Sequence, residues 1–406
     1  MSMIIKNMTT EEIENFDFSS LSDSEMNSVL TQLQDEASIY STLEQSNKLV
    51  LNSIYGSMAS KYFYFYDKTL AETITMQGQD AIKYAEKALD SYFHKTFHKD
   101  ISLLKKLKDI CPDVILEPSA CTKPTVVYMD TDSAYVTFEE AAEKINWTGS
   151  ATDFILTINE LRLKGYLKKV FDKYAQSYNT ENHLDFELET ISKSGIWVKK
   201  KKYTQDIVWQ DGKFYDPGTY TKTTGLEIIR LTTPPFCRPE LSRLVQWIFD
   251  NGKDFTQRDI TIELLKLKKR FAIADLEDIC ITTGIGDYEK YILDDRDSLN
   301  FASGCNTHTR GAAIHNMFIN NNPSFENKYE RLRTGDKVKW YYAKSHKEEY
   351  NVFSFNRGSH PKEFAPEIDI DLMFEKTVIN PLNNILQSMP GINALSGSLK
   401  IKKRLF

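Results

Sequence analysis

The 406-residue sequence predicts an α+β fold, in which helical stretches are separated by blocks of antiparallel strands. Three observations carry that prediction. From about Thr10 to Ser57 apolar residues return at helical spacing, with Leu30, Leu33, Ala37 and Tyr40 on a shared face. Two short β-type runs, Val126-Val127 and Ala134 to Phe138, flank Asp130-Thr131-Asp132 and read as a hairpin, and strands dominate again from about residue 184 to 230. Thr232-Thr233-Pro234-Pro235 then marks the passage to a helical region with core residues Leu241, Leu244, Trp247 and Ile248.

Each element follows in order. Residues 1 to 10 read as a ragged terminus. Tyr62-Phe63-Tyr64-Phe65-Tyr66 is an aromatic run whose expected place is buried or half-buried core, and Thr73 to Phe93 reads as a second helix. A basic helical stretch runs from Lys95 to Lys108, followed by a loop punctuated by Pro112, Pro118 and Pro124; the segment has no evident role. After the hairpin, residues 152 to 177 read as helix, and no internal repeat or low-complexity tract occurs.

Length allows two or three compact units. A hydrophobic content of 41% with 12% aromatics excludes a disordered chain. The formal net charge of −6 does not itself suggest a nucleic-acid binder, but five lysines, at 193 and 199 to 202, lie together without an intervening acid, offset by acidic stretches such as 11 to 36. Five scattered cysteines, at 111, 121, 237, 280 and 305, form no C-x-x-C pair and read as cytosolic thiols. Cys305, His308 and His315 make a loose metal-like group lacking a fourth ligand, so zinc is not expected. No signal segment and no apolar run long enough to span a bilayer is evident, which points to a cytoplasmic protein without membrane partners.

The richest motif is Tyr128-Met129-Asp130-Thr131-Asp132-Ser133. Two carboxylates one residue apart repel unless a cation lies among them, and Mg2+ is the usual hard-oxygen partner where phosphates are the substrate. A bare D-x-D also reads as an acidic solvated turn. Upstream, Lys48, Asn52 and Tyr55 are spaced i, i+4, i+7 in Lys48-Leu-Val-Leu-Asn-Ser-Ile-Tyr-Gly56 and share one helix face. A cation, an amide and a phenol suit a ligand with phosphates, a sugar and a base. Leu49, Val50, Leu51 and Ile54 supply an apolar side expected to be buried.

Together, KLVLNSIYG and YMDTDS resemble two signatures of the family B DNA polymerases, K-x-x-x-N-S-x-Y-G and Y-x-D-T-D-S. Phe186-Glu187-Leu188-Glu189 resembles that family's short acidic strand near the active site, and Lys199 to Tyr203 resembles its K-K-x-Y element. Gly225 to Arg230, Thr232-Thr233-Pro234, His308-Thr309-Arg310-Gly311 and Gly335-Asp336-Lys337-Val338 continue the resemblance in order, most closely in the manner of T-even-like bacteriophage replicative enzymes.

The resemblance implies the C-terminal part of a right-hand polymerase: fingers helices in 1–60, an antiparallel-sheet palm in 61–231, a mostly helical thumb in 232–397 and a tail in 398–406. It implies two-metal nucleotidyl transfer to a primer 3'-hydroxyl with two Mg2+ ions. Asp132 would be the direct metal ligand, Asp130 a supporting carboxylate, and Glu189, with Glu187, would shape the field around them. Lys48 would meet the phosphates of the incoming dNTP, Asn52 orient it, Tyr55 pack at the nascent pair and Gly56 allow close approach. Lys200, Lys201, Lys202 and Tyr203 would hold the primer of the primer–template DNA, and His308 and Arg310 would grip duplex phosphates.

One family element is missing. The upstream acidic motif D-x-x-S-L-Y-P-S is matched only by Asp17 to Asp23, where Ser22-Asp23 stands for Tyr-Pro and 31 positions separate Asp17 from Lys48, too few for the intervening palm and fingers segments. Asp185-Phe186-Glu187 mimics a proofreading D-x-E but follows YMDTDS and belongs to the palm strand. The expectation is therefore a chain broken within the fingers, partnered by a complementary N-terminal polymerase chain that supplies the missing aspartate. Leu405 and Phe406 end the chain as a docking tail for a sliding clamp would, although the basic residues before them depart from the family pattern. The alternative is a non-catalytic accessory subunit that grips primer–template or a clamp; Asp132 and Lys48 argue against it, since grip alone requires neither. A reverse transcriptase is disfavoured by D-T-D-S and KLVLNSIYG.

Overall fold

A computed structural model describes residues 16, 18, 21–252, 254–294, 299–344, 350–389 and 391–395. Mixed helices and small antiparallel sheets make the predicted α+β chain. The chain divides into two compact units, one of residues up to Ala88 together with Thr131–Ser133, the other of Leu89–Asp130 and the rest from Ala134.

The first unit is built on α1 (Asp23–Met58) and all but the last three residues of α2 (Lys68–Ser91). Ser22 starts α1 through a capping box: Glu25 N–H donates to its hydroxyl at 3.4 Å, and Ser22 N–H donates to the Glu25 carboxylate at 3.0 Å. The Ser22-Asp23 pair that breaks the acidic motif is thus a helix start, while Asp17 lies outside the described residues. Asp67 opens α2 by accepting from Leu70 N–H at 2.9 Å.

Two expectations fail in this unit. Leu49, Val50, Leu51 and Ile54, expected to be buried, are 66%, 58%, 68% and 50% exposed. Helical periodicity identifies apolar residues, but among the described residues of the unit nothing buries these. The aromatic run fails likewise: consecutive turns link α1 to α2, and their tight reversals point Tyr62, Tyr64 and Phe65 outward, 87%, 91% and 68% exposed.

The second unit holds two main cores. In the first, α3 (Ile101–Ile110) buries Leu103, Leu104 and Leu107 against Phe93, Phe97, Phe154 and Ile158. Asp100 caps α3, accepting from Leu103 N–H at 3.0 Å, and pairs with Arg162 Nε at 2.6 Å. The basic stretch without a sequence role is therefore a wall of this core, its lysines 105, 106 and 108 facing outward. Onto the core comes β1 (Val126–Asp130), paired with β2 (Ser133–Val136). A second sheet follows, with β4 (Lys202–Gln210) between β3 (Thr190–Lys199) on one edge and β5 (Lys213–Phe214) and β6 (Thr221–Thr224) on the other.

The other core joins helices Cys237–Asn251 and Gln257–Ala272 to a three-stranded sheet, in which strand Lys337–Tyr342 lies between β7 (Ile281–Gly284) and strand Val352–Asn356. Leu241, Leu244 and Ile248 are buried as predicted, and a turn at Gly335 (φ 95°) leads into the strand that starts at Lys337. Four cysteines are buried, Cys305 is half-buried, and all five are free. No helix among the described residues is long and apolar enough to cross a membrane.

His315, on helix Thr307–Asn320, is buried between the rings of Phe353 and Phe364, and its Nε2–H donates to the Glu330 carbonyl at 3.1 Å. Burial lowers its pKa to about 4 from an ordinary 6.5. Because the unfolded chain binds the proton more readily, the stabilising contribution is whole above about pH 6.5 and is lost as pH falls towards 4, a total of roughly 3 kcal/mol. Thermal midpoints at pH 7 and pH 5 should therefore differ in the wild type, and His315→Gln should flatten that dependence.

Candidate active site

Alternation along β1 places Tyr128 and Asp130 on one strand face, with Val126 buried and Met129 packed on the first core. The turn that follows is tight: Thr131 adopts φ 55°, a left-handed conformation that β-branched residues rarely take. Such backbone outliers gather at functional sites. Beyond it Asp132 is exposed, and Ser133 Oγ donates to its Oδ1 at 3.2 Å. Behind the strand, Tyr135 is hydrogen-bonded to Tyr203. Its phenol is pushed well above the ordinary value, first by burial, then by Tyr203 and by the nearby charge of Asp130.

The tip Thr131–Ser133, carrying Asp132, falls in the same compact unit as the helix bearing Lys48, Asn52, Tyr55 and Gly56. Those four residues are exposed in the last turns of α1, and the space over Gly56 is open. Tyr55 is restrained: its hydroxyl lies 2.5 Å from Thr75 Oγ1 on α2. Thr75 Oγ1 donates to the Ala71 carbonyl at 3.0 Å, so Tyr55 is the donor between the two hydroxyls. Tyr55 and Thr75 also line a groove of about 560 Å³ with Lys61, Tyr66 and Lys68. Thr75 was not legible as a site residue, because its sequence context is that of any exposed helical threonine.

The expected acidic strand is displaced. Residues 181–189 form no ladder, β3 begins at Thr190, and Glu187 and Glu189 lie exposed just before it. The Glu189 carbonyl accepts from Asp211 N–H at 3.2 Å, fixing the entry to the sheet.

The lysine run becomes the β3–β4 hairpin, with Lys200 and Lys201 as its turn. Lys199, Lys200 and Lys201 are exposed, whereas Lys202 is half-buried with its ammonium 4.0 Å from Glu227. Tyr203, expected at the primer, is only 7% exposed, its ring 5.7 Å from Tyr128 and 5.4 Å from Tyr135. Gly225 (φ 64°) explains part of this geometry. A Cβ there would stand 1.8 Å from the Lys201 carbonyl oxygen, so only glycine admits the turn so close.

His308 and Arg310 stand on the first turn of helix Thr307–Asn320, both half-buried. Burial lowers the His308 pKa, and its ring is 6.3 Å from Trp340. Gly311 lets this helix meet the sheet, since a Cβ would come within 2.6 Å of Ser354 Oγ and 2.9 Å of Ser354 N. Leu405 and Phe406 lie outside the described residues.

The donor set for a metal is partial. Asp130 and Asp132 offer carboxylate oxygens on either side of one residue, but among the described residues no three His, Cys, Asp or Glu side chains stand together as an ion site. Two carboxylates completed by water and substrate phosphate suit Mg2+, which keeps much of its hydration. Asp130 and Asp132 are the side chains whose oxygen chemistry would suit part of such a shell.

The profile of DNA polymerase family B matches residues 24–389. The DNA-directed DNA polymerase of Enterobacteria phage T4 is 22% identical over 319 residues, 75% of this chain and 32% of that protein. The DNA-directed DNA polymerase of Escherichia phage RB69 is 24% identical over 247 residues, 57% of this chain and 25% of that protein. The match thus covers less than a third of either relative, yet the family profile spans most of this chain, which belongs to DNA polymerase family B.

Proposed function

We propose that the chain is the C-terminal subunit of a DNA-directed DNA polymerase that acts in the cytoplasm on primer–template DNA and dNTPs. The observation that carries the reading is the placement of Asp132 in one compact unit with the helix presenting Lys48, Asn52 and Tyr55. When bound, two Mg2+ ions supply activation of the primer 3'-hydroxyl and charge neutralisation at the pyrophosphate leaving group. Asp132 would hold the ions directly and Asp130 would support it, with Glu189 and Glu187 adding negative potential. Lys48 meets the nucleotide phosphates through charge-assisted hydrogen bonds, and Asn52 orients the nucleotide. Tyr55, held by Thr75, packs at the nascent base pair, where Gly56 leaves room. Lys200, Lys201 and Lys202 hold the primer phosphates, with Tyr203 supporting the turn from below. His308 and Arg310 grip the duplex behind it. In this reading residues 1–60 are fingers, 61–231 palm and 232–397 thumb, and the tail with Leu405 and Phe406 tethers the enzyme to a sliding clamp.

Two observations support a complementary N-terminal polymerase chain as partner. Among the described residues no third acidic side chain stands with Asp130 and Asp132, and apolar side chains such as Leu43, Leu49, Leu51, Ile54 and Met76 are exposed. The test is primer extension by the purified chain, alone and after addition of an N-terminal family B half containing D-x-x-S-L-Y-P-S. We expect no extension alone and synthesis after mixing. Robust synthesis by the chain alone would falsify the split site, and failure to bind primer–template in either state would sink the polymerase reading.

A further inference from the structure

We propose that Tyr128 is a positioning residue: its hydroxyl tethers the Lys200–Lys201 turn to the strand that carries Asp130, and so registers the primer strand to that carboxylate. The proposal rests on the polymerase reading above and adds to it a role for the first residue of YMDTDS.

Lys201 N–H donates to Tyr128 Oη at 2.7 Å across a separation of 73 residues. A hairpin turn ordinarily leaves such an amide to water or to its own partner strand. Here the amide is held from outside the hairpin, and the carbonyl of the same residue is pressed against Gly225, where no side chain could fit. Lys201 itself adopts φ 60°, so the surroundings must hold a conformation that lysine does not favour. The Tyr128 ring is fixed in turn, 6.4 Å from Trp197 on β3 and 5.7 Å from Tyr203 on β4. Tyr128 and Asp130 are two residues apart on one strand face, so the turn and the carboxylate are referred to the same short segment. The lysine side chains remain outward and exposed, available to a phosphate backbone.

Tyr128→Phe removes the acceptor and keeps the ring contacts. Amide hydrogen exchange in the full chain should then quicken at Lys200–Lys202 and stay as in the wild type along the rest of β3 and β4. The dissociation constant for a hairpin primer–template should rise three- to tenfold, while that for a single-stranded oligonucleotide of the template sequence stays within twofold. A general loss of structure would instead speed exchange across the sheet and weaken both DNA forms alike, and that result would overturn the proposal. Wild-type exchange at Lys201 with wild-type primer–template affinity would overturn it equally. If the wild-type chain itself shows no preference for primer–template, the polymerase reading fails and this proposal falls with it; if the preference is present and Tyr128→Phe leaves it untouched, only this proposal falls.

Discussion

Asp132→Ala should stop nucleotide addition in the chain reconstituted with an N-terminal half, lowering the single-turnover rate by roughly 10³-fold or more, about 4 kcal/mol of barrier. The substitution removes both oxygens of the proposed direct metal ligand. It costs the fold little, because Asp132 is exposed and the left-handed conformation in this turn belongs to its neighbour Thr131. Ser133 Oγ loses an acceptor but lies at the surface region of the turn and can bond to water. Primer–template affinity should therefore stay within a few-fold, since phosphate grip is assigned to the lysine hairpin. Single-turnover incorporation paired with anisotropy binding separates the two quantities, and near-normal turnover would remove YMDTDS from the metal site.

Lys48→Ala should act on the nucleotide. The apparent KM for dNTP should rise on the order of 10- to 100-fold, as expected when a charge-assisted contact to phosphate is lost, with primer–template affinity unchanged. Lys48 is exposed on a long helix, and alanine is the best helix former, so the variant should fold normally. Lys48→Arg should restore only part of the loss, because a planar guanidinium replaces a compact ammonium. An unchanged KM together with a reduced rate would move Lys48 from nucleotide binding to some other step.

The hairpin at D-T-D was legible because its signal is local. Two apolar runs around it fix strand, turn and strand within a dozen residues, whereas the lysine run reads only as a basic β-like segment and its turn appears in the structure alone. The helix Cys237–Asn251 was legible for a similar reason, its Leu241, Leu244 and Ile248 repeating at helical spacing and lying buried together. What stayed hidden depends on long-range covering. The same periodicity marks the apolar residues of α1, but whether Leu49 or Leu51 is buried depends on surface the periodicity does not describe. Tyr203 reads as a DNA contact from its motif, and only the arrival of β1, with Tyr128, shows that its ring is packed inward. Thr75 and the amide of Lys201 are invisible for another reason: one is a common residue in a common place, and the other is backbone.

The left-handed lysine also says something about what this surface was shaped for. At the position of Lys201, glycine or asparagine would rest easily, and a chain selected for folding alone would tend to carry one of them. Lysine there accepts on the order of 1 kcal/mol of conformational penalty. Its neighbours then absorb that penalty, the Tyr128 hydroxyl from one side and the bare Cα of Gly225 from the other. In engineering terms the turn is a place where rigidity and charge have been traded against ease of folding. A version of this protein stabilised by relaxing that turn would be sturdier and, on the proposed function, worse at holding an anionic strand.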